Sequence, residues 1–124
     1  MTNSTAFIFL LCATLTALSP LTAHAEDDCS LEEVRQAETD MRKAEETERA
    51  NKLTEAFDMA SNLKIKCMMG DGASRQKNLK KRLGLKLGEQ EEEHGRFDTA
   101  YRWYESTGNF PEAGRIKLKQ SSSK

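Results

Sequence analysis

Cys29 and Cys67 carry the clearest chemistry in the chain. The third cysteine, Cys12, lies in an apolar run near the start, so removal of that run would leave an even pair. An even count in an exported chain favours a disulfide. Cys67-Met68-Met69, with Met59 nearby, could instead offer soft sulfur ligands of the type that suit Cu(I). The two chemistries compete, because an oxidised Cys67 has no thiolate. Scattered methionines in a helical protein are more commonly core filler, and no metal or cofactor is expected. His94 stands beside Gly95 at an expected helix end, where a cation complements the helix dipole. The carboxylates of Glu89, Glu91, Glu92 and Glu93 read as a solvated face rather than an acid/base pair. The chain has no Gly-rich phosphate loop, Ser/His/Asp order or double CxxC. No catalytic residue is assigned, and an enzyme is not expected.

The remaining candidates are binding residues. Lys77, Lys80, Lys81, Arg82 and Lys86 form a basic segment, and Trp103 falls off the apolar face of its helix. Trp103 either packs against the terminal helix or anchors a partner. Charge is segregated: acids dominate residues 26–63, bases dominate 64–88 with Asp71 the sole acid, and a second acidic run begins at Glu89. Such blocks imply neighbouring helices that pair opposite charges, solvated faces, or a basic contact surface.

The N-terminal segment reads as a targeting signal. Ala6 to Leu18 is almost unbroken apolar sequence, Pro20 ends it, and Ala23-His24-Ala25 places small residues where a signal peptidase looks. The run is shorter than the ~20 residues of a membrane span. Residues 1–25 are therefore expected to be cleaved, 26–120 to form one helical domain with a thin core, and 121–124 to be a disordered tail. The expected location is the periplasm or the exterior. Export makes anionic lipid, lipopolysaccharide or an acidic protein face better partners for the basic segment than nucleic acid, which is not expected.

The elements that position these residues follow from a phrase used three times: Asn51-Lys52-Leu53-Thr54-Glu55-Ala56, Gly95-Arg96-Phe97-Asp98-Thr99-Ala100 and Gly108-Asn109-Phe110-Pro111-Glu112-Ala113. Each has a turn-former, a large apolar residue two positions on, and an alanine three further, the spacing of one helix face after a tight turn. Ser30 and Glu33 form a capping box, predicting a helix from about Leu31 whose apolar face runs Leu31, Val34, Ala37, Met41 and Ala44. The face fails over 45–49 and resumes as Leu53, Ala56, Phe57, Ala60 and Leu63. The segment is either one long helix with a solvated middle or two helices joined by a turn near Asn51, and the recurring phrase argues for the turn. Cys29 and Cys67 lie equally far from Glu48 along the chain, so a hairpin folded there brings them together. In one straight helix they would stand roughly 55 Å apart, beyond any bridge. A third helix is predicted from about Ala73 to His94 on Leu79, Leu83 and Leu87. Gly84 and Gly88 within it mark close approach of a neighbour. A fourth is predicted over 96–106 and a fifth from Pro111 to about Lys119.

Leu87, Gly88, Gly95, Phe97, Ala100 and Tyr104 together resemble one tetratricopeptide repeat. The resemblance is good over 87–104, and residues 51–60 resemble the second half of another repeat. Glu91 and Thr107 depart from the family pattern, and no proline closes the repeat. The resemblance implies an all-α fold of about five helices in antiparallel hairpins with superhelical stacking. It further implies a concave surface made mainly by the first helix of each pair, used for peptides or proteins. Leu83 and Leu87 are expected to face Phe97, Ala100 and Tyr104 across the Gly95 turn, with Gly88 allowing the close approach. The favoured function is non-catalytic protein or peptide binding in the cell envelope, as a scaffold or assembly factor. The alternative is an exported stress or virulence-associated factor that binds anionic envelope surfaces through Lys77–Lys86.

Overall fold

The computed structural model describes residues 28–124, and the expected signal segment lies outside them. The described residues form five α-helices: α1 Leu31–Arg49, α2 Leu53–Ser61, α3 Gly72–Glu93, α4 Phe97–Ser106 and α5 Phe110–Ser122. One 3-10 turn, Ile65–Cys67, lies between α2 and α3. Each α-helix packs on the next in a helical stack. None of them is long and apolar enough to cross a membrane.

The recurring phrase is one backbone device used three times. Its turn-formers adopt left-handed conformations, with φ 60° at Asn51, 72° at Gly95 and 80° at Gly108. That conformation favours glycine or asparagine. In every copy the large apolar residue, Leu53, Phe97 or Phe110, is the first residue of the helix. The alanines three positions on, Ala56, Ala100 and Ala113, are all buried.

Both arms of the Ser30–Glu33 capping box form and start α1. Asp71 caps α3 by accepting from the Ser74 backbone N–H at 3.1 Å. α5 runs past its expected end to Ser122, where a disordered tail was predicted from residue 121. The hydroxyls of Ser121, Ser122 and Ser123 donate to the carbonyls of Leu118 and Lys119, satisfying acceptors at the helix end.

α3 is the centre of the stack, and its two sides do different work. Leu79, Leu83 and Leu87 pack with Ala37, Met41 and Ala44 of α1 and with Leu53, Ala56 and Ala60 of α2. Each buried leucine stabilises by about 1.5–3 kcal/mol. The neighbouring stripe, Gly84 and Gly88, receives Thr107 and Tyr104. The expected pairing of Leu83 and Leu87 with α4 is thus corrected. The leucines look toward α1 and α2, and α4 approaches over the glycines. Ala100 and Tyr104 form a second core with Ala113 and Ile116 of α5, and Phe97 is half-buried against it.

Two further expectations change. Leu31 is 75% exposed, because no described residue packs over the first position of α1. Glu48, assigned to a solvated stretch, is buried. It continues the Ala37–Met41–Ala44 face by one more turn, and it is tolerated there because it is fully paired.

Candidate interaction surface

Opposite charges on alternate helices are paired across the stack. Arg75 of α3 reaches Glu38 of α1 with two bonds, at 2.7 and 3.0 Å. One turn-set along, Glu48 accepts from Arg82 Nε at 2.8 Å, Arg82 Nη2 at 2.8 Å and Lys86 Nζ at 2.8 Å. The Arg82 bonds, more than any other cause, hold the Glu48 carboxyl down to about 2 against the penalty of burial. Glu38 is held below its ordinary value mainly by Arg75. The pattern repeats between α3 and α5, where Arg115 pairs with Glu92. Glu92 also accepts from the buried Tyr104 hydroxyl at 2.6 Å. Burial, and then this bond, push the Tyr104 phenol up.

These pairs redistribute the residues singled out in the sequence. Of the basic segment, Arg82 and Lys86 are committed to Glu48, and Lys80 lies over the Phe57 ring at 5.2 Å. Lys77 and Lys81 have no ion-pair partner within the described residues, and both are exposed. Trp103 is half-buried edge-on against Phe57 of α2, with ring centroids 5.0 Å apart. It therefore packs in the body of the stack rather than on the terminal helix. The Glu89–Glu93 run divides: Glu91 and Glu92 are half-buried and paired with Arg96 and Arg115, while Glu89 and Glu93 are exposed.

The Cys29–Cys67 disulfide is present, with the Cα atoms 5.4 Å apart. Cys67 is buried, so its sulfur is committed to the bridge rather than to a ligand set with Met68, which lies in the core. Glu33 sits beside the bridge and accepts from Lys64 at 2.6 Å, a bond that does most to hold its carboxyl down to about 2. The bridge and this pair tie the start of α1 to the segment after α2. His94 caps α3, with Nδ1 2.7 Å from the Gln90 carbonyl.

One groove on this clamped end has the make-up of a contact site. Leu31, Val34, Met41 and Met69 line it together with Arg35, Arg42 and Arg75 and the acids Glu38 and Glu45. Its volume is about 560 Å³. Met69 is 63% exposed and Leu31 is 75% exposed. Sequence reasoning missed this site because it places Leu31 on the buried face of its helix and Met69 among candidate sulfur ligands or core filler. The signal available was the position of Leu31, one residue after the N-cap, where no preceding turn covers a side chain. Comparison with protein families, curated proteins and solved structures finds no match to this chain.

Proposed function

We propose that this chain is an exported, non-catalytic module that binds a protein or peptide partner in the periplasm or outside the cell, in the manner of tetratricopeptide-like repeats. The groove on α1 carries the reading: two large apolar side chains stand exposed on a hairpin fixed by a disulfide. Exposed apolar surface on a rigid support favours association, because little conformational entropy is lost on binding. The occupant is a segment with an apolar anchor for Leu31 and Met69 and polar flanks, since Arg35 and Arg42 pair with Glu32 and Glu46 of the same helix. The alternative, attachment to anionic envelope surfaces through the Lys77–Lys86 segment, draws on Lys77 and Lys81, since Arg82 and Lys86 already serve Glu48.

Affinity capture from an envelope extract tests the reading. The native chain should recover one protein in a salt-resistant manner, and a Leu31→Ser/Met69→Ser variant should not. Salt-sensitive recovery of lipid would favour the alternative. Recovery of neither would remove both.

A further inference from the structure

The three copies of the turn phrase differ in what covers their large apolar residue. Leu53 is buried in the core that contains the leucines of the following helix, α3. Phe97 is half-buried against the core formed with the following helix, α5, whose Lys119 Nζ lies 4.8 Å from its ring centroid. Phe110 occupies the same place at the start of α5 and is 67% exposed. Four residues on, the first two copies carry aromatics, Phe57 and Tyr101, whereas the third carries Gly114. An added Cβ at Gly114 would meet nothing within 4 Å. One turn further, Leu118 is 72% exposed. Phe110, Gly114 and Leu118 recur at i, i+4 and i+8 and so share one outward stripe of α5.

Gly84 and Gly88 show what a glycine inside a helix does in this fold, because both are seats into which side chains of the next helix enter. Gly114 is an equivalent notch, flanked by two uncovered apolar side chains and empty among the described residues. The border of the stripe is basic. Lys77 lines the same cleft as Phe110, the Lys81 carbonyl holds the Asn109 side-chain amide at the adjacent turn, and Lys117 lies one position before Leu118. Glu105 is the acid at the edge of that cleft, and it accepts from the Tyr101 hydroxyl.

From this we infer that the outer face of α5 docks an acidic amphipathic helix of a partner protein, in the place where a further helix of the stack would lie. A small or apolar residue of that helix enters the Gly114 notch between Phe110 and Leu118, and its acidic flank meets Lys77, Lys81 and Lys117. An α5-to-α5 pairing with a second copy fits the face poorly, because it would bring Lys117 against the same basic border. A lipid surface has no use for a notch between two isolated apolar side chains. The inference shares with the proposed function the premise of a protein partner, but it uses a different face of the molecule.

NMR titration of the oxidised protein with a synthetic amphipathic peptide of about twenty residues, long enough to span α5, tests it. The peptide has leucine and alanine on one face and glutamate on its flanks. A twin peptide carries glutamine for glutamate, and phosphatidylglycerol vesicles serve as a third probe. The acidic peptide should shift the amides of residues 110–118, Lys77 and Lys81, and the glutamine twin should bind at least about tenfold more weakly. Gly114→Gln, which meets open space, should leave the Tm undiminished yet weaken peptide binding at least about tenfold by filling the notch. The inference is overturned by absence of peptide binding, by binding unaffected in Gly114→Gln, by shifts confined to the Leu31–Met69 groove, or by vesicles moving these amides where the peptide does not. A partner captured equally by native chain and Gly114→Gln, but lost from Leu31→Ser/Met69→Ser, removes this face and leaves the proposed function standing.

Discussion

Gly88 of α3 lies directly beneath the ring of Tyr104 of α4, so that a Cβ at position 88 would stand 2.5 Å from Tyr104 Cζ. The ring has no room to retreat, because Tyr104 is fully buried and its hydroxyl is bonded to Glu92. Gly88→Ala should therefore lose about 1–3 kcal/mol by overpacking, although alanine is the better helix former. Gly114→Ala, in open space on α5, should gain about 0.5–1 kcal/mol. Urea melts of the two variants should move in opposite directions. Movement in the same direction would mean that α4 does not sit on the glycine stripe.

Glu48 sets a dependence on acid. Its carboxyl is lowered in the folded chain to about 2 from an ordinary value of 4.5. A depressed carboxylate stabilises the fold above the unfolded value, and that contribution is lost as pH falls from 4.5 through about 2. Glu48→Gln keeps the volume and removes the charge. It should cost about 1–2 kcal/mol at neutral pH, less than a wholly buried pair, because Arg82 and Lys86 are nearly half exposed and regain water. Denaturant melts from pH 7 to pH 2 should show the native chain losing more of its stability on acidification than the variant does. Parallel pH profiles would contradict the pairing.

Glu92 holds two helices to α3 at once, through the Tyr104 hydroxyl of α4 and Arg115 of α5. Glu92→Ala leaves a buried hydroxyl without an acceptor and should cost about 1–3 kcal/mol. Glu92→Gln retains a carbonyl acceptor for Tyr104 and should recover part of that loss. Thermal melts that place both variants level with the native chain would show that the contact does not hold α4 and α5.

The Cys29–Cys67 bridge closes a loop with a sequence separation of 38 residues. A loop of that length contributes about 3–4 kcal/mol by restricting the unfolded chain. Oxidised protein should show no free thiol at these positions. The Cys29→Ser/Cys67→Ser variant should melt at clearly lower denaturant, and amide exchange should quicken first in the early turns of α1. Unchanged protection at the start of α1 would show that the clamp lies elsewhere.

The local elements were legible in the residues themselves. The capping box, the three turn-formers and the spacing of Leu79, Leu83 and Leu87 located every α-helix to within a few residues, because caps and left-handed turns act over a few positions. The cysteine pair was legible for a related reason, since a turn near Asn51 brings both to one end. The partnering of faces was not legible. Periodicity says that Leu83 and Gly84 lie on adjacent stripes of α3, but not which stripe meets α2 and which meets α4. That depends on how closely each helix can approach, and the glycines admit only the side that presents Thr107 and Tyr104. Glu48 follows the same logic. Its spacing from Ala37, Met41 and Ala44 marks an inward position, but its charge argues for water until Arg82 and Lys86 arrive from a helix more than thirty residues away. Exposure of Leu31, Met69, Phe110 and Leu118 is likewise a property of the assembled stack. A side chain at the edge of a packed array is uncovered by the absence of a neighbour, and the array exists only once the helices have stacked.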